Sequence, residues 1–148
     1  MKRITLLLLA LTTACSKQID ADKLQGNITS GLAAKGLTVG KVDCPSGRAA
    51  KAGDEFTCSA TDDAGTYTIK VTQQDDAGNV LWKLDGQILD TSLVVADATA
   101  KLPGAAITCA RKTVVVKTTD TYKCAIANAD QKQLVIKIDG DSVGWEAI

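Results

Sequence analysis

The chain has 148 residues, within the range of one domain, with 17 basic residues against 17 acidic, no histidine, and aromatic residues at only 3%. A balance of zero gives no electrostatic case for a nucleic-acid partner. The missing imidazole removes the usual general base, the common triads and most metal sites.

The first element is a leader at residues 1–14. Lys2 and Arg3 form a positive start, Ile4 to Leu11 form a short apolar run, and Thr12-Thr13-Ala14 supply small residues for cleavage. Eight helical residues rise only about 12 Å, less than half of a bilayer core of roughly 30 Å, so the run reads as an export signal and not a span. No later stretch is long and apolar enough to cross a membrane. Thr12-Thr13-Ala14-Cys15 resembles the bacterial lipobox, which implies lipidation of Cys15 as the new N-terminus. Five cysteines leave one over after pairing in an exported protein, and lipidation uses the odd one. Residues 15–19 are then the lipidated end and a short linker. Its four residues after Cys15 reach at most about 14 Å, which keeps the folded part close to the lipid. Ser16 resembles the residue that directs such proteins to an outer membrane where the envelope has one. Removing Lys2 and Arg3 leaves 15 basic residues against 17 acidic, so anchoring would come from the lipid and not from charge.

Beyond the linker the chain reads as two copies of one unit, at residues 20–85 and 88–148. Cys44 aligns with Cys109, Cys58 with Cys124, Ile69-Lys70-Val71 with Ile136-Lys137-Ile138, and Trp82 with Trp145. The first unit opens with a helix capped by Asp20 or Asp22, striped by Leu24, Ile28 and Leu32 and stopped by Gly36. The second opens with a cap at Asp90 or Thr91, a stripe of Leu93, Ala96 and Ala100, and a stop at Pro103-Gly104.

The period then changes to two. Phe56, Cys58 and Ala60, then Tyr67, Ile69 and Val71, then Val80, Trp82 and Leu84 each form one apolar face. The second unit echoes them with Tyr122, Cys124 and Ile126, then Leu134, Ile136 and Ile138, then Val143 and Trp145. Asp62-Asp63-Ala64-Gly65 and Asp75-Asp76-Ala77-Gly78 are tight turns, replaced in the second unit by Asn128-Ala129-Asp130-Gln131 and Asp139-Gly140-Asp141-Ser142. The expected fold class is α+β: two tandem repeats, each one helix packed on a four-stranded antiparallel meander.

Each unit holds one cysteine pair, and the pairing read from the repeat is Cys44–Cys58 and Cys109–Cys124. A unit of about 65 residues this poor in aromatics is marginal on hydrophobic burial, so a staple compensates. A metal site is set aside, since the pairs lack close C-x-x-C spacing and the compartment is oxidising.

Val42-x-Cys44-Pro45 followed by Gly53-x-x-Phe56-x-Cys58, behind a helix and a lipobox, resembles a family of uncharacterised bacterial lipoprotein domains. The second unit departs from that pattern, with Ala110 for the proline, Thr119 for the glycine and Tyr122 for the phenylalanine. The resemblance implies architecture and location, with no activity or cofactor. The expected architecture also resembles that of β-lactamase inhibitor proteins, tandem helix-plus-four-strand units that bind a target across a sheet surface.

Candidate sites follow from what is left. Asp62/Asp63 and Asp75/Asp76 are carboxylate pairs among turn residues and read as solvated turns, and Asp139 to Ser142 lacks the spacing of a calcium loop. Trp82 and Trp145 are in phase with apolar neighbours and read as packing beneath the helices. Arg48 and Lys51 in one stapled loop, and Arg111, Lys112 and Lys117 in or beside the other, are candidate partner contacts. The polar sheet face carrying Thr57, Thr68, Lys70, Thr72 and Lys137 is a second candidate surface. The reading is a non-enzymatic envelope lipoprotein, a binding module acting as an inhibitor or protein-partner domain. It would touch the membrane through its lipid and an envelope protein through its surface, with no metal, cofactor or nucleic acid. A structural lipoprotein without a discrete ligand is the alternative, and a hydrolase a remoter one.

Overall fold

The computed structural model describes residues 17–148, so the leader of residues 1–14 and Cys15 lie outside the described residues. Helix α1 (Ala21–Ala34) starts where the Asp20 carboxylate accepts the Lys23 N–H at 3.0 Å, satisfying one of the free amides of the first turn. Leu24, Ile28 and Leu32 are its buried face. It ends in a Schellman turn, with Leu37 N–H donating to Leu32 O and Gly36 N–H to Ala33 O across a positive φ of 83° at Gly36.

Four antiparallel strands follow, β1 (Lys41–Asp43), β2 (Glu55–Asp62), β3 (Gly65–Gln73) and β4 (Val80–Leu84), paired in chain order. The apolar alternation of β2 and β3 is in register: Cys58 lies opposite Ile69 and Ala60 opposite Tyr67. One face closes over α1 in a core of Leu24, Ile28, Leu32, Val42, Ala60, Ile69 and Val71. The second half runs β5 (Gln87–Asp90), α2 (Thr91–Lys101), β6 (Ala106–Thr108), β7 (Thr113–Val116), β8 (Thr121–Ala127), β9 (Gln133–Asp139) and β10 (Ser142–Ala147). Here β10-β9-β8-β6 form a second four-stranded sheet, and β5 pairs with β7 in a separate antiparallel ladder.

The expected α+β chain of two like helix-on-meander repeats is therefore corrected. Strands hold 44% of the structure and helices 19%, arranged in three sheets among the described residues. The ladder is the physical reason. Thr113-Val114-Val115-Val116 is apolar on both faces, which suits a strand buried on both sides. Val115 and Ile88 pack on the first core, while Val114, Val116 and Leu89 belong to the second. The chain there forms a wall shared by two cores, where alternation had suggested only a loop inside a disulfide.

The stripe expected on α2 is also corrected. Thr91, Val94 and Ala98 are the buried positions, and Leu93 stands 72% exposed with Ala96 and Ala100 beside it in solvent. That phase buries Val94 and Ala98 and turns Thr91 inward, where its hydroxyl donates to Arg111 O at 2.7 Å.

Candidate functional site

The two disulfides are those expected. Cys44–Cys58 and Cys109–Cys124 each bridge Cα atoms 4.4 Å apart. Cys58 and Cys124 point into the two cores, 3% exposed each, so the staples double as core volume.

The loop between Cys44 and Cys58 is fastened from beneath. Gln73, 1% exposed at the end of β3, accepts Lys51 N–H at 2.7 Å and donates to Ala49 O at 3.2 Å and to the Asp54 carboxylate at 3.3 Å. Its burial is tolerable because its amide is fully partnered. Asp54 also accepts from the Arg48 guanidinium at 2.6 Å, and Arg48 stacks 5.2 Å from the Phe56 ring. Arg48 is thus held by its own loop, and Lys51 is left exposed above it.

Arg111 is likewise turned inward to the chain. Its guanidinium bonds Asp63 and lies 3.4 Å from Asp62, whose side chain is only 5% exposed, tying the second loop to the β2–β3 turn of the first half. The Asp63 hydrogen bond holds Arg111 above its ordinary pKa. Asp62 also accepts Ala64 N–H, Gly65 N–H and the Tyr67 hydroxyl at 3.0 Å. Burial, and then the bond to Asp62, raise the Tyr67 phenol above 10.0. Lys112 is exposed, and its carbonyl accepts Thr91 N–H at 2.8 Å. Lys117 reaches Asp85 at 3.3 Å. Of the five candidate loop cations, then, Arg48, Arg111 and Lys117 are engaged within the chain, and Lys51 and Lys112 stay in solvent.

The turn carboxylates are engaged too. Asp75 accepts Ala77 N–H, Asn79 N–H and the Asn79 amide, and the Asn79 side-chain bond in particular lowers its pKa. Asp76 accepts Ala52 N–H at 2.8 Å. Among the described residues no group of three or more acidic or cysteine side chains is placed to hold a metal ion.

Trp82 and Trp145 are half-buried against the sides of the helices. Trp82 lies over the Gly31 position, with Lys35 5.6 Å above its ring. Trp145 donates its indole N–H to Asp97 at 2.7 Å, with Lys101 5.5 Å from its ring. The face of the first sheet away from α1 is left open, with Thr57, Thr68 and Lys70 exposed and Leu81 63% exposed. No helix among the described residues is long and apolar enough to cross a membrane.

The first half of the chain matches a known family. The model of a domain of unknown function, DUF4333, matches residues 4–78, half of the chain. The chain belongs to the DUF4333 family. The DUF4333 match takes in α1, the Cys44–Cys58 staple and the strands through β3, and it stops before β4. No curated protein and no solved structure matches the chain.

Two buried polar side chains were not among the expected site residues. Gln73 and Thr91 are the buried polar residues that seat the two stapled loops. The one available signal was a polar residue at an inward position: Gln73 continues the apolar face of Tyr67, Ile69 and Val71.

Proposed function

We propose that this DUF4333 chain is a lipid-anchored, non-catalytic binding module of the cell envelope, an inhibitor or protein-partner domain. The observation that carries the reading is the open face of the first sheet. It is backed by a core and a disulfide, and it presents exposed hydroxyls and lysines with one large exposed apolar side chain, Leu81, at its edge on β4. A face held rigid before its partner arrives loses little entropy on docking, and its hydroxyls, ammonium groups and edge leucine offer both polar and apolar contacts. The stapled loops contribute less than their cations suggested, because Arg48 and Arg111 are already paired within the chain.

Anchoring is the second part of the proposal. Residues 1–14 act as the export signal and Cys15 carries the lipid, which keeps the module within a few residues of the membrane. The V-x-C-P and G-x-x-F-x-C elements of residues 42–58 are, in this reading, the scaffold signature of the lipoprotein family and not a site.

Site-specific photocrosslinking in the intact envelope tests the docking face. A probe at Thr57 or Leu81 gives one discrete adduct, which a probe at Leu93 on α2 does not. Failure of both sheet positions to give a discrete adduct overturns the reading in favour of a structural lipoprotein. Mass spectrometry of membrane-extracted protein tests the anchor, and an unmodified Cys15 overturns that part alone.

A further inference from the structure

We infer that the groove between the first sheet and the β9–β10 turn is a binding site for a phosphate-type oxyanion. The groove encloses about 440 Å³ and is walled by Lys70 and Lys83 from β3 and β4, by Asp85 and Gly86, and by Lys117 and Asp141 from the second half. Its size is that of a small-ligand cleft.

Charge is what marks it. Lys70 and Lys83 stand directly opposite each other in the β3–β4 register. Like charges at facing positions of neighbouring strands repel and destabilise the pair. One carboxylate, Asp85, is shared between Lys70 at 3.8 Å and Lys117 at 3.3 Å. Lys83 has no ion-pair partner among the described residues. The second acid, Asp141, accepts the Gln87 amide at 3.2 Å. Three ammonium groups therefore surround two carboxylates, and the uncompensated cation is on the strand edge facing the groove. An oxyanion with several acceptor oxygens can bond more than one ammonium at once, which relieves the repulsion between Lys70 and Lys83.

The walls are also held in place. Gly86 has φ of 145°, and a Cβ there would meet Val115 Cγ1 at 2.9 Å and Val116 O at 3.0 Å, so β7 is packed directly on the groove floor. Gln87 bonds Gly140 O as well as Asp141, fixing the β9–β10 turn as the opposite wall. A site fixed before its ligand arrives binds at lower entropic cost. The groove lies at the β4 edge of the proposed docking face, but its assignment rests on charge and shape and is independent of any protein partner.

Phosphate is available from two sources, the solution and the headgroups of the membrane at which the module is proposed to sit. The test uses the full chain with the Cys15→Ser substitution, so that a lipid anchor does not dominate. Thermal unfolding is followed with inorganic phosphate against chloride at matched ionic strength, and vesicle co-sedimentation with phosphatidic acid against phosphatidylcholine. Phosphate raises the midpoint more than chloride does. Lys83→Gln weakens the phosphate effect at least fivefold, Lys83→Arg retains it, and Lys123→Gln, outside the groove, leaves it unchanged. Co-sedimentation with phosphatidic acid that is lost in Lys83→Gln assigns the headgroup as ligand, and phosphate binding without co-sedimentation assigns the free ion. A phosphate effect no larger than that of chloride overturns the site, as does a Lys83→Gln chain that responds like the native one.

Discussion

Two glycines of one helix provide a sharp test of how the first half is packed. Gly26 and Gly31 both lie within α1, and on intrinsic propensity each costs about 1 kcal/mol relative to alanine. Their surroundings differ. A Cβ at Gly26 meets nothing within 4 Å, whereas one at Gly31 would stand 2.5 Å from Trp82 Cζ2 and 2.9 Å from Trp82 Cη2. Gly26→Ala should therefore stabilise the protein by about 1 kcal/mol. Gly31→Ala gains the same helix propensity but must push the indole off the helix, an overpacking cost of about 1–3 kcal/mol. It should leave the chain no more stable than the native protein, and as much as about 2 kcal/mol less so. The difference between the two variants measures the clash. Urea unfolding followed by tryptophan emission gives both values, and the emission of Gly31→Ala should shift as Trp82 is displaced. In a Trp82→Leu background the Gly31→Ala penalty should vanish. A Gly31→Ala chain as stable as Gly26→Ala would refute the packing described for Trp82.

Three further outcomes are expected. Thr119 holds a φ of 77°, the value that Gly53 adopts in the first half, and a β-branched residue is strained there; Thr119→Gly should raise stability by about 1 kcal/mol, and a loss in urea unfolding would contradict it. Replacing Cys44 and Cys58 together by alanine opens a 14-residue separation and should cost about 3 kcal/mol, with a change below 1 kcal/mol counting against the staple as a stabiliser. Because the folded state raises the Tyr67 pKa, its contribution to stability is complete below pH 10.0 and fades as the pH rises through the folded value. Tyrosinate absorbance should show Asp62→Asn lowering that pKa relative to the native chain, and no movement would remove Asp62 as a cause.

What was legible in the sequence is what short-range physics controls. The stripe of α1, the Asp20 cap, the alternation along β2 and β3 and the Asp-rich turns follow from neighbours a few residues apart, while both disulfides, 14 and 15 residues in separation, were legible from the recurrence of the cysteine pair in each half. The misses needed the tertiary context. On α2 the apolar choice of Leu93, Ala96 and Ala100 lost to Thr91, Val94 and Ala98, because the burial of Val94 and Ala98 together with the Thr91 hydroxyl's bond to the Arg111 carbonyl offsets the exposure of one leucine. The Val114–Val116 run was hidden because a strand buried on both faces has no alternation to detect. For the candidate sites, Arg48 and Arg111 read as free cations until their partners Asp54 and Asp63 were brought beside them. The lysine groove was invisible for the same reason, since Lys117 joins Lys70 and Lys83 only when β7 pairs with β5.

That convergence links fold to function. The groove draws Lys70 and Lys83 from the first half and Lys117 and Asp141 from the second, so it exists only while the two cores are docked on the β5–β7 ladder. Val115 is the side chain that faces both the first core and Gly86. A ligand that binds only the docked form stabilises the docking by mass action. Cutting Val115 back to alanine should then lower phosphate affinity without touching a groove lysine, whereas a cut at Leu93, exposed on α2, should not. Coupling of that kind is what a loose pair of independent units could not show, and it is why the shared ladder matters more to this chain than the count of helices and strands.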